Sequence, residues 1–245
     1  MKKGDYKIIL EDTLPDVKTL VAGFPGIGLI GGIASEQLIN TQSMHQVASI
    51  HCDDFPPTAV IFDGIPRRPV RFFAGNGFLL VKSDMVIPSS LSFSMAETII
   101  DWVMEQGVEE VIIFDGLPEN EGREEKRIWG AISSHSAERQ ARKLNVDLIQ
   151  RGAISGIASA LLLYAHEMKL EAIAMLAESN VHMPDPRASA ALLDKFADYC
   201  DIEVETASLL ESANQLEEQY SQMVNHTKQI HNEMKHQAAH PPIYG

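Results

Sequence analysis

Cysteine is scarce: the 245 residues hold two, Cys52 and Cys200, with no CxxC spacing. That excludes a disulfide framework and a cysteine-built structural zinc site, and leaves both thiols as core or near-core side chains. Basic charge is also in deficit. Lys and Arg number 20 against 34 Asp and Glu, a formal net charge of −14. A surface field of that sign repels phosphate backbones, so nucleic acid is not an expected partner. The one basic cluster, Arg123 with Lys126 and Arg127, is interleaved with Glu121, Glu124 and Glu125 and reads as a solvated, salt-bridged surface. Long hydrophobic runs are missing as well. The stretch from Ala153 to Ala165 is interrupted by Ser155 and Ser159 and falls short of the ~18 to 20 residues that cross a bilayer. No membrane span is expected. Met1-Lys2-Lys3-Gly4-Asp5 has no apolar run behind it, so no secretory signal is expected and the protein should be cytoplasmic. There is no Walker A sequence to drive an ATPase cycle and no G-x-S-x-G nucleophile elbow around Ser155. His226, His231 and His236 are five residues apart, which turns each about 140° from the last around a helix, so they do not converge on one metal ion.

What is present is an ordinary globular composition, 45% apolar and 22% charged, patterned as alternating strands and helices. Thr19 to Ala22 reads as a buried strand, followed by the turn Gly23-Phe24-Pro25-Gly26-Ile27-Gly28 and a helix to about Leu38. Short β-rich runs follow at Val47 to Ile50 and Ala59 to Phe62. Val70 to Phe73 and Phe78 to Val81 flank Gly75-Asn76-Gly77, which predicts a hairpin. Ser94-Met95-Ala96-Glu97 has the capping-box pattern and predicts a helix opening there, running to about Gln106 and stopped by Gly107. A strand at Val111 to Phe114, helices near Ala137 to Lys143 and Ile157 to Met168, and a strand at Ala172 to Leu176 continue the alternation. Asp185-Pro186 supplies a cap residue and then proline at the first helical position, so a helix runs from there to about Tyr199. The expected fold class is therefore α/β, a sheet packed between helices.

Two further segments carry functional information. Gly26-Ile27-Gly28-Leu29-Ile30-Gly31 matches GxGxxG after a strand and before a helix, with Asp53 and Asp54 at the distance of a ribose-binding acid. One reading is an NAD(P)-binding oxidoreductase using Gly26, Gly28 and Gly31. The other is structural, the glycines letting a helix pack tightly on a sheet. Against the first, Asp53-Asp54 runs into Phe55-Pro56-Pro57 rather than ending a strand cleanly. His51, beside Cys52 and Asp53, reads as a satisfied, partly buried histidine. Near the C-terminus, Leu209, Leu216, Met223 and Ile230 recur every seven residues, and Ala213, Tyr220, Thr227 and Met234 fill the position four after each. A narrow apolar stripe on a polar helix can pack on the chain's own domain or form an oligomer seam with a second copy. Pro241-Pro242 then ends any helix and holds the last residues extended. The expected organisation is a core over residues 1–205, a C-terminal helix over 206–237 and a tail over 238–245.

The segments Gly23-Phe24-Pro25-Gly26-Ile27-Gly28, Gly152-Ala153-Ile154-Ser155-Gly156 with Leu161-Leu162, and Asp185-Pro186-Arg187-Ala188-Ser189-Ala190 stand in an order and spacing that resemble the proteasome assembly chaperone family, its archaeal branch included. The likeness extends from about Thr19 to Leu210. It implies a phosphorylase-like α/β domain without a catalytic constellation, no cofactor, and glycines that are structural. It also gives meaning to Ile243-Tyr244-Gly245, which resembles the hydrophobic-tyrosine-any ending by which proteasome activators dock between outer-ring subunits of the core particle. The resemblance implies that Tyr244 fills the pocket, Ile243 adds apolar contact and the Gly245 carboxylate pairs with a lysine. It implies a binding protein; the missing Walker A sequence makes it ATP-independent, and because one short tail binds weakly, a homo-oligomer presenting several is expected. The rival from the residues alone remains the dinucleotide enzyme, and a third reading is a structural oligomer with an inert tail.

Overall fold

Residues 20–22, 111–114 and 172–177 are apolar without alternation and fully buried, the pattern of parallel strands covered on both faces. In the computed structural model, which describes residues 6–119, 126–181 and 183–215, they lie side by side at the centre of one sheet. The chain begins with β1 (Tyr6–Leu10), β2 (Thr19–Gly23), a 3-10 turn (Ile27–Leu29) and α1 (Ile30–Thr41). Next come β3 (His45–Cys52), β4 (Val60–Phe62), β5 (Ile65–Arg67), β6 (Val70–Gly75), β7 (Phe78–Ser83) and α2 (Ser92–Glu105). The second half comprises β8 (Glu110–Pro118), β9 (Ile128–Ile132), α3 (Glu138–Lys143), β10 (Asp147–Leu148), α4 (Gly156–Glu167), β11 (Glu171–Ser179) and α5 (Pro186–Cys200).

Among the described residues the sheet has nine strands in the order β1-β3-β6-β7-β2-β8-β11-β9-β10. Neighbours β7, β2, β8 and β11 are parallel; β1–β3, β3–β6, β6–β7 and β11–β9 are antiparallel. Successive side chains on the central strands point to opposite faces. Leu20, Ala22, Val111, Ile113, Ala172 and Ala174 meet Met95 and Ile99 of α2 and Ile157 and Leu161 of α4. Val21, Ile112, Phe114, Ile173 and Met175 meet Ile30 and Leu38 of α1 and Leu192 and Phe196 of α5. Phe196 stands edge-on to both Phe78 and Phe114, with ring centroids 5.5 and 5.2 Å away.

The hairpin expected around Gly75-Asn76-Gly77 is β6–β7. Gly75 pairs with Phe78, leaving a two-residue turn in which Asn76 (φ 45°) and Gly77 (φ 82°) are both left-handed. Asp185 caps α5 as its sequence implies, its Oδ1 accepting the Ala188 N–H at 2.9 Å. The capping box at Ser94 does not form. Pro88 opens a 3-10 turn over Ser89–Leu91 that leads into α2 at Ser92. Ser94 is already inside the helix, where its hydroxyl bonds the Leu91 carbonyl at 3.2 Å. Strands β1, β5, β9 and β10, which periodicity does not announce, are short or lie toward the sheet margins. β4 and β5 form a separate hairpin whose Ile61, Phe62 and Ile65 are exposed.

At the end of the sheet where β8 begins, the Glu110 carboxylate receives Thr19 Oγ1 (2.6 Å), Tyr199 Oη (2.7 Å) and Gln140 Nε2 (2.9 Å). Burial, followed by this carboxylate, raises the Tyr199 hydroxyl and pushes the Cys200 thiol up to about 12, so Cys200 is no ready source of thiolate. At the opposite end α1 approaches the sheet backbone to backbone. A Cβ on Gly31 would lie 2.6 Å from the carbonyl oxygens of both Phe24 and Phe114, whereas a Cβ on the next residue, Gly32, would meet nothing within 4 Å. Gly31→Ala is therefore expected to destabilise by about 3 kcal/mol or more, because backbone must move. Gly32→Ala, in the same helix, should stabilise by about 0.5–1 kcal/mol through helix propensity. Urea denaturation of the two variants checks the pair.

Candidate functional site

The three sequence segments that carry the resemblance converge at the end of the sheet where β2, β8 and β11 finish. Phe24 to Ile27 and Ala153 to Gly156 line one cleft of about 270 Å³ together with the end of β8. The Asp185 segment closes on the other side: its backbone N–H donates to the Gly28 carbonyl at 2.9 Å. Asp185 Oδ2 also lies 3.2 Å from Lys126 Nζ, which bonds Glu119 Oε2 at 2.7 Å. Lys126, read from its acidic neighbours as a solvated surface residue, has a side chain only 10% exposed. Burial works against its charge, yet the contacts with Glu119 and Asp185 prevail and raise its pKa.

Within the glycine segment each candidate residue has a packing role. A Cβ on Gly26 would come 2.2 Å from Asp115 Oδ1, and one on Gly28 would come 2.1 Å from Ser179 Oγ. Gly28 (φ 62°) and Leu29 (φ 53°) are successive left-handed residues, and α1 starts only after them. A left-handed leucine costs about 1 kcal/mol; here the tight turn requires it. Gly31 seats the helix on the strand ends. The acid of the dinucleotide reading is displaced: Asp53 and Asp54 follow β3, which β6 and β7 separate from β2, roughly 14 Å at ~4.8 Å per strand. Asp53 Oδ1 instead accepts a hydrogen bond from His51 Nε2 at 3.0 Å, at an exposed position. Geometry thus favours the structural use of Gly26, Gly28 and Gly31. Among the described residues no three His, Cys, Asp or Glu side chains group to hold a metal, and no helix is long and apolar enough to cross a membrane.

The C-terminal helix begins over residues 207–215. Leu209 and Ala213, the first two positions of the apolar stripe, are buried, and Leu209 belongs to the core cluster of α1 and α5. Both are buried within the chain itself. Thr206 Oγ1 bonds Asp194 Oδ1 at 3.2 Å and Arg187 Nη2 bonds Asn214 Oδ1 at 2.8 Å. The helix therefore runs antiparallel to α5 and toward the end of the sheet that holds the cleft. Leu216, Tyr220, Met223, Thr227, Ile230 and Met234, and Ile243, Tyr244 and Gly245, lie outside the described residues, as do the boundaries drawn at residues 237 and 238.

A family model matches residues 20–224 of the chain, that of the PAC2 family. The chain belongs to the PAC2 family. Two Methanocaldococcus jannaschii proteins are each 28% identical, MJ0106 over 83% of this chain and 84% of its own length and MJ1210 over 91% and 88%. Among solved structures, Pyrococcus furiosus PbaA, described as an archaeal homolog of proteasome-assembly chaperone, is 25% identical with a TM-score of 0.82, covering 95% of this chain and 97% of its own. Pyrococcus furiosus PbaB, described as an archaeal proteasome activator, is 25% identical with a TM-score of 0.81, covering 91% and 99%. The mixed α/β architecture is that of these PAC2 neighbours.

Asp115, which the sequence patterns do not single out, belongs to the site. It lies within β8, one residue past the point where β2 stops pairing with that strand, with Oδ1 accepting the Gly116 N–H at 2.8 Å. Burial pushes its carboxyl up to about 6, outweighing the opposing Gly116 bond. Because the folded value exceeds the ordinary 3.8, the stability from this group is complete below that value and is lost as pH rises through about 6. Asp115→Asn keeps the acceptor for Gly116 and removes the half-buried charge. It is expected to match wild type near pH 3.5 and to exceed it by up to about 3 kcal/mol at pH 8, read from chemical denaturation across the pH range.

Proposed function

We propose that this chain binds the proteasome core particle without ATP, as an assembly chaperone or an activator-like cap, docking through Ile243, Tyr244 and Gly245. The observation that carries the reading is likeness over nearly the whole chain to PbaA and PbaB, at 25% identity and TM-scores of 0.82 and 0.81. In this reading Tyr244 enters a pocket between outer-ring subunits, Ile243 lies against its apolar rim, and the carboxylate of Gly245 pairs with a lysine. The protein works as a binding partner rather than a catalyst, in the cytoplasm.

A three-residue segment buries little area and must be ordered on docking, so one copy binds weakly. Several copies on a homo-oligomer raise the effective concentration of each. Self-association draws support from the exposed apolar hairpin, where Ile61, Phe62 and Ile65 are 63%, 60% and 53% exposed. With Leu209 and Ala213 used internally, the seam between copies starts at Leu216 and continues through Tyr220, Met223, Thr227, Ile230 and Met234. Arg187 and Asn214 hold the start of the helix on the domain, which supports a fixed point of departure for the segment that follows.

Deleting the last three residues, or replacing Tyr244→Ala, is expected to weaken co-sedimentation with purified core particle tenfold or more while leaving thermal stability unchanged. Undiminished binding would mean an inert tail. Leu216→Asp combined with Met223→Asp should lower the oligomer mass in light scattering; an unaltered mass places the contact between copies elsewhere.

A further inference from the structure

Docking through a terminal segment leaves the cleft beside Asp115 without a role, and its chemistry is specific. At about 270 Å³ it is the size for a small metabolite. Its position is that of a ligand site in an open α/β sheet. The chain leaving β2 turns to α1 on one face, and the chain leaving β7 turns to α2 on the other, so a crevice forms outside the carboxyl ends of the strands. Its walls include Phe24, Ile87, Ile113, Ile154 and Leu176, and Asp115 is the one ionisable side chain among those that line it. Asp115 Oδ1 accepts from Gly116, and Oδ2 accepts no hydrogen bond from any described residue. No described Lys, Arg or His lines the cleft. An ionised carboxylate therefore stands half-buried among apolar walls, with no counter-charge from the side chains that line the cleft, an arrangement that a cationic donor would compensate.

We propose that this cleft binds a small organic ammonium compound with an apolar body, its N–H groups donating to Asp115 and its hydrocarbon lying against Phe24, Ile87 and Ile154. A charged ammonium brings the two things the site lacks, positive charge and donors. An anion is repelled by Asp115, and a neutral hydrocarbon leaves the carboxylate uncompensated. Ser155, which precedes α4 and makes no capping hydrogen bond, lines the same cleft and offers a hydroxyl oxygen to a further N–H. Because Asp115 alone titrates among the lining side chains, and burial holds its carboxyl near 6, binding tightens as pH rises through that value.

Calorimetry on the full-length chain with isoamylammonium and its neutral isostere isoamyl alcohol, in an amine-free buffer, tests the assignment. The ammonium is expected to bind at least tenfold more tightly than the alcohol at about pH 7.5, and about tenfold more weakly at about pH 5 than at pH 7.5, following the ionised fraction of Asp115. Asp115→Asn should weaken the ammonium tenfold or more while its fold remains intact, which its unliganded denaturation curve reports. Absence of binding at millimolar ammonium, equal affinity for the alcohol, or an Asp115→Asn variant that binds as wild type does would overturn the proposal. Core-particle co-sedimentation is independent of each of these outcomes.

Discussion

Backbone against backbone at the first turn of α1 is the contact on which the arrangement of the site depends. Gly31 brings the helix so near the strand ends that two carbonyl oxygens occupy the space of its missing Cβ, and Gly116 is similarly placed, 2.2 Å from Ile27 O by the same measure. Such approaches are available only to glycine. They draw the turn after β2 down onto the end of β8, which brings Asp115 beside Gly26 and Ser179 beside Gly28. The same turn presents the Gly28 carbonyl to the Asp185 N–H, and with it the Lys126 and Glu119 pair. One steric requirement thus gathers five separate stretches of chain at one end of the sheet.

Elements buried on both faces or closed by special turns were legible in the residues. The apolar runs of β2, β8 and β11, the Asn76-Gly77 turn and the Asp185 cap each have a local physical cause, and each is where that cause puts it. Ser94 shows the limit of local reasoning. Its pattern with Glu97 is a good helix start, but Pro88 three residues before Leu91 offers an earlier one, and tertiary packing of Met95 and Ile99 accepts the longer helix. Lys126 was misplaced because charge patterning reports neighbours in sequence, whereas its partner Asp185 arrives from another element. Asp115 carried a signal, an acid directly after a wholly apolar run, but its meaning depends on which segments close over it, and that is a property of topology. The glycine segment was ambiguous for the same reason, since GxGxxG serves equally for a phosphate cradle and for close packing until the neighbouring strand is known.

The two ends of the sheet are built on opposite principles. At one, Glu110 is held by three donors from Thr19, Gln140 and Tyr199, so a half-buried acid is occupied by its own molecule. At the other, Asp115 has a single backbone donor and a cleft in front of it. The first arrangement locks helices to strands. The second retains an unfavourable electrostatic interaction in the folded state, the pattern by which proteins give up stability at places that serve something other than folding.

The pairing of the C-terminal helix with α5 has a mechanical consequence. Contacts from Thr206 to Asp194 and from Asn214 to Arg187 are distributed along two antiparallel helices. A force applied at residue 215 along the axis of this helix therefore loads these contacts together, in shear, whereas a force directed away from α5 would open the Asn214 contact first. Its point of delivery is the first turn of α5, two residues from the amide that grips the glycine turn. Such a pull is thereby felt at the glycine turn before it is felt by the strands.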